Sequence, residues 1–285
     1  MDTFEGNLIK RSGQIGDPPL TIGRPDLPRE MTFADLTEQN EGERVTRFCG
    51  AILRRMPVDW ESAQTQELSY WKGTVTSVAA VLSEIEEVTR LVEFGTTWGS
   101  IGTVGAVVEL GVGPLGIGWS AIGDADRAVG VDPLPRLIVS TGDRVVDDFA
   151  RSLQERTDYL QADATKPIPL DPGVFDLVVC DNVIDHTQDP EAILVESARL
   201  AKPGGTLLFG VNVFSALGLV KWRQVTRRLH AHDFNVICHP HSFREDHLPR
   251  LLAAAGWRII YRSPTPIRQR IAGRVYRARL IAVKG

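Results

Sequence analysis

The chain lacks the residues that would mark it as disulfide-stapled, membrane-spanning or nucleic-acid binding. It has three cysteines, Cys49, Cys180 and Cys238. They are far apart and form no CxxC pair, which excludes a disulfide framework and a thiolate metal site and leaves reduced, mostly buried thiols. No stretch approaches the roughly 18 consecutive apolar residues of a membrane helix, and the acidic opening Met1–Glu5 lacks the apolar core of a signal peptide. A cytoplasmic protein without a membrane partner is expected. Positive charge is also lacking. The formal net charge is -4, whereas a duplex-binding surface leaves a basic footprint, so no nucleic-acid partner is expected. There is no internal repeat and no low-complexity tract.

What is present fits one or two globular domains, since 285 residues with 43% hydrophobic content can bury a sizeable core. Residues 1–30 are rich in Gly and Pro and read as an extended arm. Residues 31–100 carry helical spacing, with Phe48, Ile52 and Leu53 on one face and Val78, Val81, Leu82 and Ile85 on another. This region is expected to be a helical N-terminal cap. From about residue 101 strands alternate with helices. Ala106–Leu110, Val129–Asp132 and Tyr159–Asp163 are short strand-like runs. Phe175–Asp181 is nearly all apolar, as a central parallel strand covered on both faces should be. A helix follows, with Pro190 near its start and Lys202-Pro203-Gly204-Gly205 breaking it, and then a fifth strand at Thr206–Val211. A helix over about 244–255 ends at Gly256. Two strands, 258–261 and 279–283, follow with only a basic loop between them, which is more naturally an antiparallel pair. Alternation of this kind implies βαβ units and a doubly wound sheet.

Gly111-Val112-Gly113-Pro114-Leu115-Gly116 fits G-x-G-x-x-G after a strand and is expected to open a helix. Glycines there let the backbone turn tightly and approach a ligand. Asp132 ends the next strand, where a carboxylate can accept from both hydroxyls of a ribose. Dinucleotide and S-adenosylmethionine (SAM) sites share these two features. Three others favour SAM. Glu109 precedes the loop, where an acid suits a sulfonium rather than a pyrophosphate. Asp163 ends the third strand, where a carboxylate can accept from an adenine amino group. Asp181-Asn182-Val183-Ile184-Asp185-His186 is a polar cluster on the ligand-facing edge of the fourth strand.

From Ala106 to about Val213 the sequence resembles the class I SAM-dependent methyltransferases. The matching segments are Val108–Gly113, Asp132, Asp163, Phe175–His186 and Arg199–Gly205, with His239-Pro240-His241-Ser242-Phe243 beyond. The resemblance implies an α/β, doubly wound Rossmann-like fold. Its sheet is seven-stranded and mostly parallel with the last strand antiparallel, here carrying the helical N-terminal cap. It assigns residues 101–285 to a SAM-binding methyltransferase domain, with an acceptor-pocket insertion at 213–242. It implies SAM as cofactor, S-adenosylhomocysteine (SAH) as product, and Glu109, Gly111, Gly113, Asp132, Pro133, Asp163, Ala164, Asp181 and Asn182 as cofactor-binding residues. Tyr70 and Trp71 join them as aromatics able to attract a sulfonium.

Methyl transfer is an in-line displacement, so the enzyme must align donor and acceptor and remove a proton from a hydroxyl acceptor. His186, His241 and Asp181 are the catalytic candidates, with His186 first because its unperturbed pKa of roughly 6.5 suits proton transfer. Asp185 is read either as a site residue or as a cap for the next helix. The insertion brings His230, His232, Asp233, His239 and His241, but their spacing matches no standard metal pattern, and no metal is expected. Lys221, Arg223, Arg227 and Arg228 form a basic run, either a solvated face or a contact for an acidic group on the acceptor. No Asn-Pro-Pro-Tyr or Asp-Pro-Pro-Tyr follows the fourth strand. The expected function is methylation of a small molecule, at a hydroxyl of a sugar or natural product. An NAD-dependent oxidoreductase and a non-catalytic SAM-binding protein stand as alternatives, and a homodimer is left open.

Overall fold

A computed structural model describes residues 59–215, 217–220, 238–264 and 275–285, with the backbone of 52–55. The expected arm at 1–30, Phe48, Cys49, the basic run 221–228, His230, His232 and Asp233 lie outside the described residues.

The chain enters through β1 (Ile52–Arg55) and two helices, α1 (Trp60–Thr74) and α2 (Val78–Gly99). Each helix begins at a side-chain cap that satisfies an otherwise orphaned N–H. Asp59 accepts from Glu61 N at 3.2 Å, and Ser77 from Ala80 N at 3.4 Å. In α2 the buried residues Val81, Ile85, Leu91 and Phe94 form the stripe expected of an amphipathic helix.

Then come β2 (Val104–Leu110), α3 (Trp119–Ile122), β3 (Ala125–Asp132), α4 (Arg144–Gln154), β4 (Asp158–Gln161), β5 (Phe175–Asp181), α5 (Pro190–Leu200) and β6 (Ala201–Phe214). The chain closes with β7 (His241–Arg244), a 3-10 turn at Glu245–His247, α6 (Leu248–Ala254), β8 (Trp257–Arg262) and β9 (Val275–Lys284). Among the described residues no helix is long and apolar enough to cross a membrane.

Seven strands run in the order β4-β3-β2-β5-β6-β9-β8. β4, β3, β2, β5 and β6 are mutually parallel, and β9 lies antiparallel between β6 and β8. This is the mostly parallel doubly wound sheet implied by the sequence, with its antiparallel ending. Both faces of β2 and β5 are covered. Val107, Leu177 and Val179 pack with Leu91 and Phe94 of α2 on one face. Val108, Val178 and Cys180 pack with Ile193, Leu194 and Ala198 of α5 on the other. Double coverage is why these strands are continuous apolar runs rather than alternating ones.

Three expectations need correction. Ile52 and Leu53, read as part of a helical face, lie in strand β1, which pairs antiparallel with β7. β7 in turn pairs parallel with the end of β6, at Val213 and Phe214. β6 is longer than the expected 206–211 and outruns β5, whose pairing with it stops at Asp181 and Gly210. The β1–β7 pair therefore takes up the β6 edge that β5 leaves free, because exposed backbone groups there need partners. Second, Arg244 belongs to β7, and the helix expected from 244 starts only at Leu248. Third, the glycine loop does not open a helix directly. Gly111, Gly113 and Gly116 have φ of 71°, 73° and 62°. Three left-handed residues cannot sit in a right-handed helix, so the helical turn waits until Trp119.

Candidate active site

The glycine loop leaves the C-terminal edge of β2 and is pinned from two sides. Gly113 N–H donates to Asp132 Oδ2 at 2.9 Å, and Leu134 N–H donates to Oδ1 of the same carboxylate at 2.9 Å. At the other end, Trp119 N–H donates to Glu109 Oε2 at 2.6 Å. A Cβ at Gly118 would overlap the Glu109 carboxylate, so a larger residue there would displace that side chain from Trp119 N–H. Trp119 anchors the far side of the loop. It is fully buried among Leu91, Phe94, Ile101 and Val107, with two glycines against its ring. A Cβ at Gly95 would lie 2.6 Å from its ring, and one at Gly123 2.5 Å from its Nε1.

The loop is roofed by α1. Trp71 lies against Gly113, where a Cβ would come within 3.1 Å of its indole. Tyr70 packs edge-on to Trp71 with ring centroids 5.6 Å apart, yet is 50% exposed. Glu67, one helical turn before Trp71, enters the same space. It lies 3.9 Å from His186 Nδ1 and feels the charges of Asp132 and Asp185. The sequence reading missed Glu67, although its i, i+4 spacing from Trp71 puts both on one helix face.

The electrostatics of this cleft are those of acids held without enough counter-charge. Burial raises Glu67 to about 7, with the nearby Asp132 and Asp185 charges adding to it. Burial raises Glu109 to about 7 against the bond from Trp119, and Asp132 to about 6 against the bonds from Leu134 and Gly113. Burial also drives His186 down to about 4, so its imidazole is neutral. Buried acids in this state favour a ligand that brings positive charge or hydrogen-bond donors.

The turn after β5 carries the remaining candidates. Asn182 has a φ of 62°, and its N–H donates to Gly210 O at 2.8 Å. Asn212 of β6 donates to Asn182 Oδ1 at 2.7 Å and to Asp185 Oδ2 at 3.3 Å. Asp185 is buried and does not cap α5. Asp189 does, accepting from Ala192 N at 3.1 Å with Pro190 in the first turn. Asp181 leans over Gly210 toward β9, where Arg277 Nη1 donates to its Oδ2 at 2.8 Å and Arg279 Nε lies 3.6 Å from Oδ1. His241 of β7 is buried, with Nε2 2.8 Å from Thr187 O, a tether between β7 and the β5 turn.

On the β3–β4 side, Asp163 lies two residues beyond β4. Burial opposes its ionisation, but hydrogen bonds from Thr165 and Lys166 hold it below the usual carboxylate range. Ala164 beside it is buried. The carbonyl of Pro133 accepts from Gln161 Nε2 at 3.1 Å, which ties the β3 end to β4. The structure thus gathers Glu67, Trp71, Gly113, Asp132, Asp185 and His186 at one edge of the sheet.

This strand order, with a glycine loop after the central strand and an acid at the end of its neighbour, defines a class I SAM-dependent methyltransferase fold. Residues 108–209 match the family described as Methyltransferase domain. These residues form a methyltransferase domain of that class. A stretch of 51 residues, 18% of this chain, is 41% identical to a ubiquinone biosynthesis O-methyltransferase of Methylococcus capsulatus, over 22% of that protein. A protein encoded in a transposon of Streptomyces fradiae is 27% identical over 113 residues, 37% of this chain and 29% of that one. The chain therefore spans under a third of the length of these curated relatives. Among solved structures, a chain from the complex of the Haloferax volcanii Trm112 methyltransferase activator with a methyltransferase superposes with a TM-score of 0.54. It is 17% identical, and the superposition covers 77% of this chain and 96% of that one.

Proposed function

We propose that this protein transfers a methyl group from SAM to a hydroxyl oxygen of a small-molecule acceptor, such as a sugar or natural product. The observation that carries the reading is the Gly113–Asp132 hydrogen bond beneath Trp71, a cradle in which a Cβ on the loop would strike the indole. Asp132 keeps lone pairs for ribose hydroxyls, and Asp163 and Ala164 would flank the adenine. The acids Glu67 and Glu109 suit a ligand bearing a sulfonium and an ammonium. SAM supplies a methyl group whose carbon–sulfur bond breaks, with its electron pair going to sulfur, as the acceptor oxygen attacks. His186, neutral in the cleft and 3.9 Å from Glu67, would orient the acceptor hydroxyl, and Glu67, raised to about 7, is placed to take its proton. We assign residues 101–285 to the catalytic domain, 31–100 to its cap and 213–242 to the acceptor pocket. The Methylococcus relative, named as an O-methyltransferase, supports oxygen as the attacked atom.

The dinucleotide alternative is disfavoured by the same geometry. A pyrophosphate needs free N–H groups at a helix start after the loop. Here the helix is one turn long, and its first N–H is already held by the Glu109 carboxylate.

Calorimetric titration with SAM, SAH and NAD, each alone, tests the reading. Micromolar binding of SAM and SAH without NAD is the expected result, and NAD binding without SAM would overturn it. The same titration has a pH signature. Asp132 holds its proton up to about 6, and a protonated carboxyl cannot accept from two ribose hydroxyls, so binding must release that proton. The sign is that affinity weakens on acidification, by about tenfold for one such group between about pH 7 and pH 5. A profile flat across that window would remove Asp132 from the ribose contact.

A further inference from the structure

The turn after β5 carries a second piece of chemistry. Asp185 Oδ2 lies 3.9 Å from His186 Nε2, and the His239 ring centroid is 4.1 Å from that of His186. One ligand atom from each of Asp185, His186 and His239 lies within 4.8 Å of the others. Asn182 Nδ2, a donor, is 3.4 Å from His186 Nε2, which makes Nε2 the lone-pair nitrogen of the ring. Two lone-pair atoms therefore face each other across 3.9 Å. Asp185 is almost fully buried, and its Oδ1 has no hydrogen-bond partner among the described residues. An arrangement of acceptors aimed at one another inside a protein calls for a cation.

We propose that Asp185, His186 and His239 form a binding site for one divalent transition-metal ion of the zinc type, open on the side of the cleft where an oxygen of the acceptor would bind. Two metal–ligand bonds of about 2.0–2.2 Å span up to roughly 4.3 Å, so the His186–Asp185 gap accepts an ion with little movement. Two imidazoles and one carboxylate are the ligand set of such ions, which leaves coordination positions for an oxygen donor. Asn212, donating to Asp185 Oδ2, supplies the outer hydrogen bond that orients a ligating carboxylate. Spacing along the chain hides this group, because His239 comes from the segment before β7 while its partners follow β5. The histidines considered together from sequence were those of the insertion alone. The role given to the open position rests on the methyltransferase reading; the metal site itself does not.

The test uses the full chain stripped with a chelator and titrated with Co2+ in the absence of SAM. The expected result is one equivalent bound, with visible d–d absorption bleached by competing Zn2+. His239→Gln and Asp185→Asn should each weaken binding by at least about tenfold, the scale on which even outer partners act. His247→Gln, a histidine outside the cluster, should leave binding unchanged. Circular dichroism checks folding, and His239→Gln, a half-buried position, serves if Asp185→Asn does not fold. No d–d band at one equivalent, or unchanged affinity in His239→Gln, would overturn the site. SAM titration of the chelated protein separates the two readings, since SAM binding without cobalt binding sinks only the metal.

Discussion

Trp119→Ala is expected to destabilise the protein by about 3–5 kcal/mol, the range for deleting a large buried aromatic. The side chain has no exposed surface, and it fills the centre of a cluster with Leu91, Phe94, Ile101 and Val107, so its loss leaves a large cavity among them. For a chain of this size the loss corresponds to a fall in melting temperature of roughly 6–20 °C. Trp119 Nε1 makes no hydrogen bond among the described residues, so Trp119→Phe removes volume but no polar contact and should fall well short of the alanine variant. Gly95→Ala probes the same slot from the opposite side, with an expected overpacking cost of about 1–3 kcal/mol. Thermal melts of the three variants check this. An alanine variant melting within about 2 °C of the parent would show that the slot does not set stability.

Asp132→Ala is expected to weaken SAM and SAH binding by about a hundredfold or more. Hydrogen bonds to a charged group are worth about 1.5–3 kcal/mol each, and two ribose contacts would be lost together. The variant also frees Gly113 N–H and Leu134 N–H, so the loop loses its tether on this side. Asp132→Asn tests charge apart from shape. It retains one acceptor, but its amide turns a donor toward one of the two backbone N–H groups, so most of the loss should persist. Calorimetry on both variants decides the point. Affinity within threefold of the parent in Asp132→Ala would place the ribose elsewhere.

Much of the ligand edge was legible in the sequence for a physical reason. Val107–Leu110, Val129–Asp132 and Phe175–Asp181 are buried on both faces, so they stand out as β-branched apolar runs, and the first polar residue after each marks the sheet's edge. Gly111, Gly113 and Asp132 follow directly from those edges. The tail was also readable, because the basic segment between its two strands carries no helical pattern to serve as a parallel crossover, which favours an antiparallel pair.

Local pattern could not reach what depends on partners distant in the chain. The spacing of Ile52 and Leu53 suits a helix face, but they form a strand because β7 and the overhang of β6 offer unpaired backbone. Asp181 has the look of a site acid until Arg277 and Arg279 of β9 are seen to claim it. Glu67, His186 and His239 belong to three separate segments, and only the packing of α1 and the approach to β7 against the β5 turn bring them together. Sequence alone determined the doubly wound fold and the glycine loop with its acid, since both arise from local backbone needs and burial. Tertiary structure alone decided which charged groups are neutralised and which are left facing the cleft, because that depends on distances no spacing along the chain encodes.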